Sequence, residues 1–268
     1  MSLETATAVI ATARTAGIDT LDTATLYGDS ELRLGRIGVE GWEVVSKLAA
    51  VPPGCPDVRD WVFAEVAASL ARLGIAGLSG LMLHRPGELG KPHGPALFAA
   101  LEELKRKRIV RKIGVSIYEP GELDEIVGRY AIDLVQAPLN VLDRRLVQSG
   151  WLDRLSVRGI EVHARSVFLQ GLLLMSRRPA FFEEWEPVWR RWDSWLARHA
   201  QSSVSACLGF VLSFPAVARV VVGVDNVAQL QTLIKAAVPG GTWPEEIWSA
   251  DPRLLNPSQW PRSQTQPR

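Results

Sequence analysis

Seven short apolar runs, each set off by an amphipathic stretch, constrain this chain more than any other feature. The runs at 18–22, 44–47, 78–84, Val110–Ser116, 134–137, 161–164 and 220–223 read as strands. The stretches at 3–16, 30–36, Val58–Leu73, 95–107, 121–129, 144–158, 185–199 with Ser203–Leu212, and 227–237 read as helices. Gly17, Gly74 and Gly159 follow helices where a left-handed cap is expected. Strict alternation of strand and helix implies a parallel sheet with helices outside it. No G-x-G-x-x-G follows any strand; Gly35 and Gly38 form only a G-x-x-G at a helix end, so a doubly wound dinucleotide domain is unsupported.

A one-domain α/β barrel of the (β/α)8 TIM type fits better. Such barrels typically run to about 250 residues, and this chain has 268. Eight strands are needed and seven are visible. The chain opens directly on a helix, with Ser2 as its N-cap, so the lacking strand is the first. Its absence leaves two unpaired sheet edges. The barrel is expected over 1–238, and the Pro- and Trp-rich stretch 239–268 is expected to pack on it as a tail.

Composition narrows the function classes. Apolar residues make up 47% of the chain, enough for a sizeable core, and the net charge is +1. Near-neutrality argues against a nucleic-acid or polyanion surface. The densest charge run, Lys105-Arg106-Lys107-Arg108, reads as a solvated helix end that suits the macrodipole. Cys55 and Cys207 stand alone, so neither a disulfide framework nor a metal site is expected. No signal peptide opens the chain, and no apolar run reaches membrane-spanning length. A cytoplasmic protein with a small-molecule partner is expected, as a monomer or a homo-oligomer. Trp185, Trp189 and Trp192, spaced four and three apart, read as a packing stripe on one helix face.

Four ionisable residues recur at equivalent places. Asp22 and Tyr27 follow the first strand, Lys47 ends the second, and His84 ends the third. In a parallel barrel the carboxyl ends of all strands face one rim, where active sites sit. Singly, each residue has a structural explanation: a turn Asp, a core Tyr, a half-buried Lys, a packed His. Together, on one rim, they read as a proton-transfer site.

This set resembles the aldo-keto reductase superfamily. The stretch 22–35 matches D-T-A-x-x-Y-G-x-S-E-x-x-L-G, with Asp22, Tyr27, Gly28, Ser30, Glu31 and Gly35 in place. Val45-Ser46-Lys47, Leu83-His84-Arg85-Pro86, Ile113-Gly114-Val115-Ser116, Val135-Gln136 and Val221-Val222-Gly223-Val224 fit in order. The resemblance implies reduction of an aldehyde or ketone by hydride from a reduced nicotinamide. Tyr27 would be the general acid. A free Tyr has a pKa of about 10. A Lys47 cation at about 4 Å is worth about 4 kcal/mol at an effective dielectric of 20 and favours the tyrosinate. Burial and the Asp22 counter-charge oppose it. Asp22 would hold Lys47, and His84 would polarise the carbonyl.

The same resemblance implies a cofactor site. Ser116 and Gln136 match positions on the carboxamide. Ser166, Phe168, Gln170 and Gly171 match the segment along the pyrophosphate, and Gly223, Val224, Asp225 and Gln229 the adenosine phosphate region. Three departures stand out. Ile117 replaces the family's Asn, Arg165 replaces its aromatic platform under the nicotinamide, and Asp225 stands where many members carry a base. NADP(H) is the family's default, and the acid Asp225 makes NAD(H) an option. These departures and the missing strand leave an alternative, a non-catalytic nicotinamide-binding or scaffold barrel, or a truncated inactive member. A short-chain dehydrogenase is excluded, since Tyr27, Tyr118 and Tyr130 are followed four on by Glu31, Glu122 and Leu134. Trp42, Tyr118 and the 185–195 region could line the substrate pocket, and Arg85 or Arg165 could favour acidic or phosphorylated substrates.

Overall fold

A computed structural model describes residues 1–241, 243–244 and 246–261. Seven parallel strands form one sheet: β1 (Thr20–Asp22), β2 (Glu43–Leu48), β3 (Leu78–Leu83), β4 (Val110–Ser116), β5 (Leu134–Pro138), β6 (Glu161–Arg165) and β7 (Val217–Val220). They pair in sequence order, each with its neighbours. Between them run α1 (Leu3–Thr15), α2 (Ser30–Ile37), α3 (Val58–Leu73), α4 (Gly94–Arg106), α5 (Glu122–Ile126), α6 (Arg145–Gln148) and α7 (Trp151–Val157). After β6 come α8 (Glu186–His199) and α9 (Ser203–Leu212), and after β7 come α10 (Val227–Ala236) and α11 (Pro252–Leu255). Every residue of β5 and all but one of β2 are buried. Such strands need apolar residues on both faces, which is why the runs were readable.

The sheet curls but does not close on itself. β1 and β7 are its two edges, and their residues are at most partly buried. The helical layer closes where the sheet does not: α1 packs against α10, with Ile10, Ala13 and Leu230 in one core. Arg219 on β7 spans the seam. Its Nε donates to Thr20 Oγ1 at 3.1 Å, and its Nη2 to Asp19 Oδ2 at 3.3 Å.

Register fixes what faces the interior. Val45, Met82 and Leu134 form a small cluster of their own inside the sheet. Side chains repeat every second residue on a strand. Lys47, His84 and Gln136 therefore stand one layer above that cluster, on the same side. Asp22 pairs with Val45, and Ser116 with Gln136. Gly114 keeps the neighbouring strands close, since a Cβ there would meet Leu134 O at 1.9 Å.

Three expected elements are redrawn. The 220–223 run enters the sheet earlier, as β7, with Val217 paired to Val162 and a register irregularity between Val162 and His163. Val221 N still donates to Ala164 O at 2.8 Å before the chain leaves the sheet. The 144–158 helix breaks into α6 and α7 at Gly150, whose φ of 73° no helix holds. The 121–129 helix shrinks to α5. The expected caps are present: Ser2 Oγ accepts from Thr5 N, and Gly17, Gly74 and Gly159 have positive φ.

Trp189, Trp192 and Trp195 are buried on α8 in a second core, which also takes Ile247, Leu254 and Leu255 from the C-terminal stretch. Residues 262–268 of the expected tail lie outside the described residues. Among the described residues, no helix is long and apolar enough to cross a membrane.

Candidate active site

The turn after β1 is built by its own sequence. Thr25 N donates to Lys47 O, Tyr27 N to Ala24 O and Ser30 N to Tyr27 O, and Gly28 takes a φ of 55°. Ser30 then opens α2, with its Oγ 3.0 Å from Thr23 Oγ1. Glu31 is buried under the turn. Its Oε1 accepts from Ser46 Oγ at 2.7 Å and Ser69 Oγ at 2.6 Å, and its Oε2 from Arg72 Nε at 2.8 Å. Gly35 lets α2 close on α3, since a Cβ there would meet Arg72 O at 2.1 Å. The motif's Glu and Gly thus fix the platform, and its Asp and Tyr are left for the cavity.

The four rim residues come together. Lys47 is buried, and its Nζ donates to Asp22 Oδ1 at 2.5 Å and Thr23 O at 3.2 Å. The same Nζ lies 5.2 Å from the centroid of the Tyr27 ring. The Tyr27 and His84 rings meet edge to face at 5.9 Å. Asp22 Oδ2 accepts from Gln136 Nε2 at 2.8 Å, which ties the set to β5.

The electrostatics differ from the expectation that Lys47 dominates Tyr27. Burial and the Asp22 carboxylate raise the Tyr27 pKa above its ordinary value, and Arg165 is the nearby cation that opposes them. The Lys47 ammonium lies under the ring, and the Asp22 carboxylate paired with it opposes it at the phenol. Burial also lowers the pKa of Lys47 itself, against the pull of Asp22. Burial, with Lys47 and Arg165, lowers the pKa of His84, so it is neutral at pH 7. Its Nδ1 is buried and has no hydrogen-bond partner among the described residues. A buried donor without an acceptor costs more than an idle acceptor here, because Nδ1 can stay unprotonated while Nε2 keeps the proton. His84 is then a neutral donor through Nε2–H.

Asp22, Tyr27 and His84 open into a cavity of about 1200 Å³. Lys47 lies beneath them and does not line it. The cavity continues past Ser116, Gln136 and Arg165, along Ser166, Phe168, Gln170 and Gly171, to Gly223, Val224, Asp225 and Gln229. It is long enough in lining to take an extended ligand. Its walls change in character along the way: a hydroxyl and a primary amide near Tyr27, then a loop, then the start of α10. Gln136 has spent one N–H on Asp22, and its carbonyl oxygen is left for a ligand amide. At the start of α10, Asn226 Oδ1 caps Gln229 N at 2.9 Å, and the first-turn amides before it suit an anion. These residues fit a nicotinamide dinucleotide.

The loop 166–171 is strained. Ser166, Leu169 and Gln170 have φ of 57°, 45° and 54°. Each such residue costs about 1–3 kcal/mol, and such strain clusters at ligand sites. Asn140 holds the loop, donating Nδ2–H to Ser166 O at 2.9 Å. Sequence reading missed Asn140, which follows a strand as an ordinary turn residue would. Ile117, by contrast, is fully buried in the core and leaves the cavity. Tyr118 lines the cavity. Trp42, Trp185, Trp189, Trp192 and Trp195 do not; they are packed in the cores. Arg85 is exposed and off the cavity wall as well.

The sequence and the structure both have relatives. The sequence of residues 1–239 matches the aldo/keto reductase family. The uncharacterized oxidoreductase YqkF of Bacillus subtilis (strain 168) is 28% identical over 165 residues, which cover 55% of this chain and 51% of that protein. The match thus spans about half of the curated relative. Aldo-keto reductase AKR11C1 from Bacillus halodurans, in its holo form, superposes with a TM-score of 0.74 at 22% identity, over 92% of this chain and 86% of that one. The thermostable aldo-keto reductase Tm1743, in complex with the inhibitor epalrestat, gives 0.69 at 23% identity, over 87% and 82%. At these identities the two structures speak for the fold, and the family match carries the assignment. On that match, extending through every strand of the barrel, this chain is a member of the aldo/keto reductase family.

Proposed function

We propose that the protein is an NAD(P)H-dependent reductase of aldehydes or ketones, with Tyr27 as general acid. The observation that carries this is the meeting of Asp22, Tyr27, Lys47 and His84, from three strand ends, at one end of a cavity sized for a dinucleotide. Family membership and the barrel fold support an oxidoreductase, and the finer reading rests on this geometry.

A reduced nicotinamide, when bound beside Ser116 and Gln136, supplies the hydride. Everything else falls to the protein. His84 donates its Nε2–H to the carbonyl oxygen and polarises it. Tyr27 passes its phenolic proton to that oxygen as the carbon is reduced, giving the alcohol and a tyrosinate. The Lys47 ammonium beside the ring stabilises the tyrosinate until solvent reprotonates it. Asp22 keeps that ammonium charged and in place against the cost of burial. The raised pKa keeps the phenol protonated at neutral pH but makes it a weaker acid, so the reaction leans on His84 to polarise the carbonyl and on the cations near the ring.

Asp225 belongs to the far end. An acid there repels a 2′-phosphate and accepts hydrogen bonds from a ribose hydroxyl, which favours NADH over the family's default NADPH. Replacement of Tyr27 by Phe tests the reading, since it removes the proton and leaves the cavity.

A further inference from the structure

Among the described residues, Arg165 stands at the Tyr27 end with no carboxylate in ion-pair contact, Asp143 and Asp22 acting on it only from farther off. It closes β6, two residues beyond the buried His163, and lines the cavity with Tyr27 and His84. Its guanidinium lies 4.6 Å from the centroid of the Tyr118 ring. Nη2 donates to Ile117 O at 2.8 Å and Nη1 to Ser166 Oγ at 3.1 Å. Both acceptors are neutral, and two of five N–H donors are used. Among the described ion pairs Arg165 takes no part, although its neighbours are matched: Lys47 by Asp22 at 2.5 Å, and Asp143 by Arg145 at 2.8 Å.

A partly buried cation with no carboxylate in contact is costly, and an arriving anion relieves that cost. Arginine stays charged in any protein environment, and its planar fork fits a carboxylate through two parallel hydrogen bonds. Stacking on Tyr118 and the two bonds to Ile117 and Ser166 hold the fork in one plane before any ligand arrives, which limits the ordering cost of binding. Arg85, the other candidate in the sequence, is exposed and off the cavity wall.

We propose that Arg165 is a specificity residue that receives a carboxylate carried by the substrate, so that the protein's substrates are oxo acids. This rests on the carbonyl-reductase reading above. A phosphate of the dinucleotide is a second source of anion, because Ser166 and Gln170 line the same wall, and the test separates the two.

The experiment compares kcat/KM for succinic semialdehyde against butanal, and for 4-carboxybenzaldehyde against 4-methylbenzaldehyde. The unaltered protein, Arg165→Met and Arg165→Lys are assayed, with NADPH and NADH dissociation constants measured by tryptophan fluorescence. The unaltered protein should prefer the acid of each pair by about tenfold or more, the value of a charge-assisted bond pair. Arg165→Met should lose that preference, read as the acid-to-neutral ratio of kcat/KM within each pair, so that any change common to both members through Tyr27 or the cofactor cancels. Arg165→Lys should keep part of it. Equal use of acid and neutral aldehydes by the unaltered protein overturns the proposal and leaves the reductase reading standing. So does a preference that survives in Arg165→Met. Cofactor binding weakened about tenfold in Arg165→Met, with the acid preference intact, assigns the arginine to the dinucleotide instead. If the unaltered protein binds neither cofactor and reduces nothing, the reductase reading fails and the proposal falls with it.

Discussion

Lys47 Nζ and Asp22 Oδ1 meet at 2.5 Å beneath the cavity, with the lysine side chain 1% exposed and the carboxylate 15%. Neither residue is stable there alone. Removing one partner of a buried pair costs about 3–5 kcal/mol, while removing both can be close to neutral. Asp22→Asn should therefore destabilise the fold by about 3 kcal/mol in urea unfolding. Adding Lys47→Met should recover most of that loss. Equal stability of Asp22→Asn and the unaltered protein would show that the pair is not closed in solution.

Glu31 is a second buried charge, held by Ser46, Ser69 and Arg72. It ties the turn carrying Tyr27 to β2 and α3. Glu31→Ala leaves the buried hydroxyls of Ser46 and Ser69 without their acceptor, while the partly exposed Arg72 turns to water, and should cost about 2 kcal/mol or more. Part of the activity loss should then follow unfolding, and low temperature or a stabilising osmolyte should restore it. An activity loss with unchanged stability would give Glu31 a direct part in the chemistry.

The strands and the tetrad were legible because each depends on local chemistry. A strand buried on both faces needs a continuous apolar run, and a rim residue must end one. The departures lay in what neighbours decide. Nothing in the run 217–224 marks where pairing begins; the neighbouring strand does, where Val162 takes Val217 as its partner. Gly150 broke a helix whose apolar spacing ran on without interruption. The tyrosine's electrostatics needed the partner distances: Asp22, bonded to Lys47 at 2.5 Å, opposes that cation at the phenol, and Arg165, which reads in sequence as a missing aromatic, adds a cation of its own.

His84 and His163 both have folded pKa values below the ordinary 6.5, chiefly from burial. Between the folded value and 6.5 the unfolded chain binds the extra proton and the folded chain does not. Stability therefore rises with pH across that window and falls as pH drops below 6.5. The buried Glu88 and the partly buried Glu161 have lowered pKa values and add a separate loss only below 4.5. Urea midpoints at about pH 7 and about pH 5.5 should show the first loss, and His163→Asn should reduce it. A flat profile over that range would mean that both imidazoles are open to solvent.

Asp225 is exposed at the cavity's far end, with its main-chain N–H on Gln229 Oε1 at 2.7 Å. Asp225→Arg exchanges repulsion of a 2′-phosphate for attraction. The ratio of NADPH to NADH affinity should rise by about tenfold or more, and more steeply at low salt. A ratio unmoved by the substitution would place the adenosine end elsewhere.

The central claim is that Tyr27 gives its proton to a carbonyl oxygen. Single-turnover reduction of an aldehyde by Tyr27→Phe, with dinucleotide affinity measured on the same sample, tests it most directly. The chemical step should slow by about 10²- to 10⁴-fold, as for loss of a general acid, while the dissociation constant stays within about twofold. An unchanged single-turnover rate, with the dinucleotide still bound, would contradict the account.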